Sequence, residues 1–283
     1  MKRLLTVACL AILLAGCEPA APKAISGKVA AVHAPSTTQP AAETQAEAKQ
    51  FAADPIAYVQ AGRAWYDQHV KDYTCTLYKK ERIDPKAADF LSEQKMLCKF
   101  KENPFSVFTD TVVNPRGADR ALYVETVGQK DWKMKARAKV LGLPVTAEVD
   151  PRGPEARQHT LRFVDQFGFK RSLEQIIKTL KVVQAEAKTA GKGGAASQIS
   201  FKQVGKVGDR DVLIFEYWLK EAAPTGQFEF PHGRIYLDRE WRLPLGVDLY
   251  DAKDIERAEY RFTDIKFNTG LTDADFTTKK NGM

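Results

Sequence analysis

The chain has 283 residues, 44% hydrophobic and 28% charged, with a net charge of +7. It is long enough for one substantial core. The positive balance falls to +5 without the first sixteen residues; it is too mild to argue for nucleic acid and fits anionic headgroups or envelope polymers.

Lys2 and Arg3 precede an apolar run from Leu4 to Leu14, interrupted only by Thr6. The run is too short to cross a bilayer, which takes roughly 20 apolar residues in a helix. It reads as a signal peptide over residues 1–16. Leu14-Ala-Gly-Cys17 resembles the lipobox of bacterial lipoproteins, in which the cysteine is diacylated and becomes the new N-terminus. The resemblance implies a membrane partner, held through a lipid on Cys17, and a periplasm-facing place in the cell envelope. Glu18 rather than aspartate follows the cysteine, which by the sorting rule of enteric bacteria points to the outer membrane. Residues 17–50 read as the lipidated cysteine and a tether. Pro19, Pro22, Pro35 and Pro40 punctuate a segment nearly free of large apolar side chains, which cannot offset its ordering entropy. The alternative is a helix beginning within Glu43 to Gln50, where Ala, Glu, Lys and Gln favour one.

A single domain is expected over residues 51–283. Asp54-Pro55 is an N-cap followed by proline at the first helical position, and Ile56, Val59, Tyr66 and Val70 recur on one helical face. Tyr73–Ile83 and Glu93–Phe100 alternate around the turn-like stretch Asp84–Asp89. A bulge-free hairpin centred there sets Cys75 opposite Cys98, Tyr73 opposite Phe100 and Leu77 opposite Met96. In an oxidising compartment the two cysteines are candidates for a cross-strand disulfide; the alternative is two buried free thiols.

Phe105–Val113 and Ala121–Val127 continue the strand pattern. In Trp132–Val140, Trp132, Met134, Ala136, Ala138 and Val140 share one face, and Lys133, Lys135, Arg137 and Lys139 share the other. The basic face is either solvated or a contact surface for an anionic envelope component. After the break Asp150–Pro154, Leu173, Ile176, Ile177, Leu180 and Val183 mark a helix from about Ser172 to Lys188. Lys192-Gly193-Gly194 lacks the order of a phosphate-binding loop. Strands follow at Gln198–Val204, Asp211–Leu219, Gly233–Asp238, Leu245–Tyr250 and Arg257–Phe267. Helix, strands, helix, strands is an α+β order with a large antiparallel sheet.

Arg234–Asp251, with Tyr260–Asn268 and Thr269–Phe276, resembles the strand-turn-strand and closing motifs of the LolA/LolB-like, outer-membrane lipoprotein-sorting superfamily. Tyr73–Ile83 and Lys101–Phe108 resemble a narrower group, family 1571 among the domains of unknown function. The resemblance implies a strongly curved antiparallel sheet, a half-barrel wrapped around helices, whose concave apolar side holds acyl chains in the carriers. Phe105, Val107, Trp132, Met134, Ala136, Ala138, Tyr236 and Val247 are the candidates for a hydrophobic-ligand face, with Ala136 and Ala138 small enough to leave room for a chain; the competing reading for each is ordinary core packing. The carriers are soluble, whereas this chain has an anchor sequence.

No catalytic residues are expected. His69, His159 and His232 are not spaced as a zinc pair, and no His-Glu-x-x-His or Gly-x-Ser-x-Gly occurs. No cofactor or metal is called for. Asp238 and Arg239 are expected to shape a tight connection, and Asp264 and Asn268 to cap backbone at the end of the sheet. The expected partners are a membrane, an acyl chain or acylated lipoprotein, or an envelope protein. The leading function is therefore an anchored binder of a hydrophobic ligand in lipid or lipoprotein handling; the alternative is a non-catalytic protein-binding or signalling module.

Overall fold

Two helices open the described chain, α1 (Ala41–Ala53) and α2 (Pro55–His69). In this computed structural model the residues described are 41–125, 133–189, 197–219 and 230–283, all within one compact unit spanning Val32–Met283. The signal sequence, Cys17, the tether up to residue 40, Trp132, Val127 and Lys192–Gly194 lie outside them.

α1 occupies the end of the segment read as tether and agrees with the helical alternative there. Its Phe51 stacks on Phe215 at 3.7 Å between ring centroids, and its Glu47 pairs with Arg239 at 2.7 Å. α2 starts where Asp54 accepts the Ala57 amide at 2.9 Å, with Pro55 in the first turn. Tyr58, Val59 and Tyr66 are buried beneath it. Gly62 is required there, since an added Cβ would lie 2.5 Å from the Arg242 carbonyl oxygen.

The strands are β1 (Asp72–Glu81), β2 (Gln94–Lys101), β3 (Ser106–Val113), β4 (Arg120–Val124), β5 (Met134–Val140) and β6 (Leu143–Val149). The short helix α3 (Pro154–Arg157) and the long α4 (Phe169–Thr189) lead to β7 (Gln198–Val207), β8 (Arg210–Trp218), β9 (His232–Asp238), β10 (Pro244–Tyr250) and β11 (Glu256–Phe267). They form one sheet in the order β6-β5-β4-β3-β2-β1-β11-β10-β9-β8-β7. Every pairing is antiparallel. The chain meanders out from β1 to β6, crosses to the far edge, and meanders back until β11 lies beside β1.

This order corrects the expected half-barrel. β6 and β7 are the edges at opposite ends of an open sheet, and among the described residues no strand pairing curls one toward the other. Closure or strong curl requires accumulated twist, stagger and bulges, which strand alternation alone does not specify.

The β1–β2 register runs without a bulge, with Cys75 opposite Cys98, Tyr73 opposite Phe100 and Leu77 opposite Met96. α4 packs its buried Leu173, Leu180 and Val183 into the core. The centre of that core is aromatic: Tyr73 stacks on Phe100 at 4.7 Å and meets Phe169 at 4.9 Å, and Phe169 meets Phe262 edge-on at 5.3 Å. Each such side chain contributes roughly 1.5–3 kcal/mol of burial. On the other side of the sheet, Phe276 from the C-terminal three-ten turn covers Phe108 and Leu122.

Candidate functional site

A cavity of about 530 Å³ lies between the sheet and the α3–α4 segment, within the range of roughly 300–1,000 Å³ usual for small-molecule sites. Leu77, Met96, Ala121, Val247 and Phe262 line it from the central strands; Met134, Ala136, Ala138, Ala147 and Val149 line it from β5 and β6. Phe163, Phe167 and Ile176 line it from the crossover. Room exists because alanines of three neighbouring strands are in register: Ala121 pairs with Ala136, and Ala136 with Ala147.

One end of the cavity is polar. Lys79, Gln94, Arg116, His159, Thr160 and Arg162 all contribute to the lining. Behind them Glu81 is fully buried. Its carboxylate accepts hydrogen bonds from the Tyr260 hydroxyl, the Thr160 hydroxyl at 3.1 Å and the Leu161 amide at 3.0 Å, and pairs with Lys79 at 3.2 Å. Among the described residues no group of three or more His, Cys, Asp or Glu could hold a metal ion. None of the described helices is long and apolar enough to cross a membrane.

Of the residues expected on a ligand face, Met134, Ala136, Ala138 and Val247 line the cavity. Three others occupy core positions, the competing reading for each. Phe105 packs edge-on to Phe100 and Tyr123 beneath the Arg171 guanidinium. Val107 is fully buried opposite Phe100 and Tyr123. Tyr236 is buried under Arg261 and donates its hydroxyl to Asp248 at 2.6 Å. Apolar alternation marks burial, and burial beside aromatic neighbours leaves no room for a ligand.

On the basic face, Lys133, Lys135 and Lys139 are exposed. Arg137 is half-buried: its guanidinium forks onto Asp119 at 2.7 and 3.0 Å and reaches the Gly282 carbonyl at 2.6 Å. It braces the β3–β4 connection and the C-terminus instead of facing a partner.

Cys75 and Cys98 are both buried, and both are free thiols. Register brings the two residues together, but closing the bond also needs an oxidant. Burial, followed by contact with Cys98, pushes the Cys75 thiol well up, which slows attack by it. Prolonged exposure to oxidised glutathione is expected to close the bridge, with a peptide joining Cys75 to Cys98 and a protein lighter by two hydrogens. Two alkylatable thiols after oxidation and denaturation would rule the bridge out.

The remaining polar residues are structural. Asp238 shapes the β9–β10 connection by accepting the Glu240 and Trp241 amides at 3.0 and 2.7 Å and the Arg210 guanidinium at 2.8 and 2.9 Å. Asn268 accepts the Lys71 amide and donates to the His69 carbonyl. His232 is stacked between Trp218 and Tyr250 at 3.5 and 4.3 Å, with its Nδ1 2.6 Å from Asp254.

Fold and cavity define a helix-covered antiparallel sheet domain with one largely apolar cavity and a polar end. The chain belongs to the family described as "Protein of unknown function (DUF1571)", whose model matches residues 70–282. No curated protein matches it. Among solved structures it is distantly similar to a putative outer membrane lipoprotein-sorting protein domain from Vibrio parahaemolyticus, at 15% identity and a TM-score of 0.39 over 79% of this chain and 96% of that one. It is also similar to the MucA/MucB complex structure of Pseudomonas aeruginosa, at 10% identity and 0.42 over 79% and 60%. A third likeness is to the LolA superfamily protein NE2245 from Nitrosomonas europaea, at 10% identity and 0.30 over 78% and 98%.

Proposed function

We propose that this protein is a non-catalytic binder of a hydrophobic or acylated ligand, tethered to the periplasmic face of the envelope by a lipid on Cys17. The outer membrane is the proposed site of attachment. The observation that carries the reading is the cavity, whose β5–β6 wall is built from Ala136, Ala138 and Ala147 where larger residues would fill it. Burying apolar ligand surface there supplies roughly 25 cal/mol per Å² of driving force. The exposed Lys133, Lys135 and Lys139 fit an anionic membrane surface beside the cavity.

A second reading, a protein-binding module, draws on the tip and edge of the β5–β6 hairpin. Leu141 is 99% exposed and has φ +52°, a conformation that Asn or Gly would adopt more readily. Neighbouring Leu143 and Val145 are also exposed, on an edge strand open to further pairing. The two-residue turn between β5 and β6 sets that φ, with Gly142 also positive at +83°, and it holds the Leu141 side chain out in solvent.

The test is to isolate the Cys17→Ser chain from its native periplasm and analyse extracted lipid by mass spectrometry. A stoichiometric amphiphile is expected, and Ala136→Phe with Ala138→Phe should lower its yield about tenfold with the protein still folded. No lipid above that of a control protein would overturn the first reading, and a stoichiometric protein partner in its place would establish the second.

A further inference from the structure

The cavity's polar end carries more positive charge than its own carboxylates neutralise. Lys79, Arg116 and Arg162 are in its lining, and the buried carboxylate behind them, Glu81, is taken by Lys79. The acid that the lining itself contains, Glu155, is exposed on α3. Among the described residues neither Arg116 nor Arg162 forms an ion pair.

These groups share one corner. The Lys79 ammonium donates to Thr160 at 3.2 Å, and Arg162 lies over the Tyr260 ring, which sits opposite Lys79 in the sheet. His159 lies against Gly117, next to Arg116, so closely that an added Cβ would be 2.6 Å from the ring. Gln94, opposite Lys79, donates to the Asn114 carbonyl at 3.1 Å and so ties in the turn that carries Arg116.

Arg116 is the informative member. One of its terminal nitrogens donates to the Ser92 carbonyl. The other, Nη1, is buried without a hydrogen-bond partner, as is Gln94 Oε1 nearby. Burial lowers the Arg116 pKa, so the cation has been partly stripped of water. A charged donor in that state is costly to leave unpaired, and a fixed guanidinium fork suits the paired oxygens of a carboxylate or phosphate.

We propose that this corner is a headgroup site: the cavity takes an amphiphile with an anionic head, carboxylate or phosphate, whose oxygens Arg116 receives while the apolar tail runs along the alanine-lined wall toward β6. Arg162 adds long-range attraction, and Gln94 Oε1 accepts a hydroxyl of the head where one is present. The inference rests on the hydrophobic-ligand reading and adds its chemical selectivity.

The test uses the full chain with Cys17→Ser and measures displacement of a pyrene-labelled fatty acid by myristic acid, methyl myristate, dodecyl phosphate and inorganic phosphate. Myristic acid and dodecyl phosphate are expected to compete about tenfold better than the uncharged ester. Arg116→Gln should remove that preference by bringing acid competition down to the level of the ester, whereas Arg116→Lys, which keeps the charge and loses the fork, should retain part of it. The melting temperature of each variant separates lost recognition from lost folding. Equal competition by acid and ester in the parent chain overturns the headgroup site while the groove reading survives. Failure of the labelled acid and the ester alike to bind overturns both. Weakening of acid and ester together in Arg116→Gln reduces Arg116 to a structural role and overturns its assignment. Inorganic phosphate competing as well as dodecyl phosphate would show an anion site unconnected to the apolar wall, again against the proposal.

Discussion

Glu81→Ala is expected to destabilise the domain by about 3–5 kcal/mol, the usual consequence of removing one partner from a buried ion pair. The carboxylate is fully buried in β1 and gathers four groups from three parts of the chain: Lys79 from its own strand, Tyr260 from β11, and Thr160 and the Leu161 amide from the crossover. Alanine leaves the ammonium of Lys79, a residue only 8% exposed, with Thr160 as its remaining hydrogen-bond partner. It also unpins the segment that covers the cavity. Lys79→Met in the same background should recover a large part of the loss, because the stranded charge goes with it. Urea unfolding of the parent, both single variants and the double variant gives the coupling directly. A loss below about 1 kcal/mol for Glu81→Ala, the scale of an exposed pair, would show that water already reaches this carboxylate and that the crossover is held by other contacts. The same variant should loosen ligand binding, since Thr160 and Arg162 belong both to the pinned segment and to the cavity wall.

Features set by neighbours in sequence are legible in the chain itself. Asp54-Pro55 marked a helix start because a short carboxylate and a donor-free residue suit the first turn. The Cys75–Cys98 pairing followed from alternation and a single turn. α4 emerged from its 3.6-residue period, starting three residues before the expected Ser172. β6 lies outside the strands expected from the sequence; its Pro144 is tolerated because, on an edge strand opposite Lys139, the missing amide does no harm. α1 exceeded its expected length because Phe51 finds Phe215, far away in the chain. The open form of the sheet was hidden for a related reason: twist and edge placement arise from many strands together. At the site, the small residues Ala136 and Ala138 signalled space. Arg116 gave no signal, since Asn114–Gly117 reads only as a turn and its companions His159, Thr160 and Arg162 arrive from the crossover.

A second large effect concerns acid stability, through Glu216 on β8. Burial alone would raise its pKa, but hydrogen bonds from Lys202, Arg234 and His232 outweigh that and hold the carboxyl down to about 2. The contacts are 2.8 Å to Lys202, 3.0 Å to Arg234 and 3.3 Å to His232. A carboxyl depressed by folding stabilises the native state above its unfolded pKa, near the ordinary 4.5, and that contribution is lost as pH falls through the folded value. The expected window is therefore pH 4.5 down to about 2. The full shift corresponds to about 3 kcal/mol. Lys202 and Arg234 are each more than two-fifths exposed, so screening should reduce it to about 2 kcal/mol. Glu216→Gln should thus be less stable than the parent by about that amount near neutrality, with the difference closing across the window. Comparing the two proteins at each pH cancels the other acids, including Asp119, which hydrogen bonding from Arg137 also holds low. Chemical denaturation of both from neutrality to pH 2 provides the measurement. A difference that stays constant through that range would mean that the three donors restrain the Glu216 side chain without stabilising its charge. A closing difference would instead show that the cluster at the β8–β9 end, with His232 clamped between Trp218 and Tyr250, is held in part by that single ionised carboxylate.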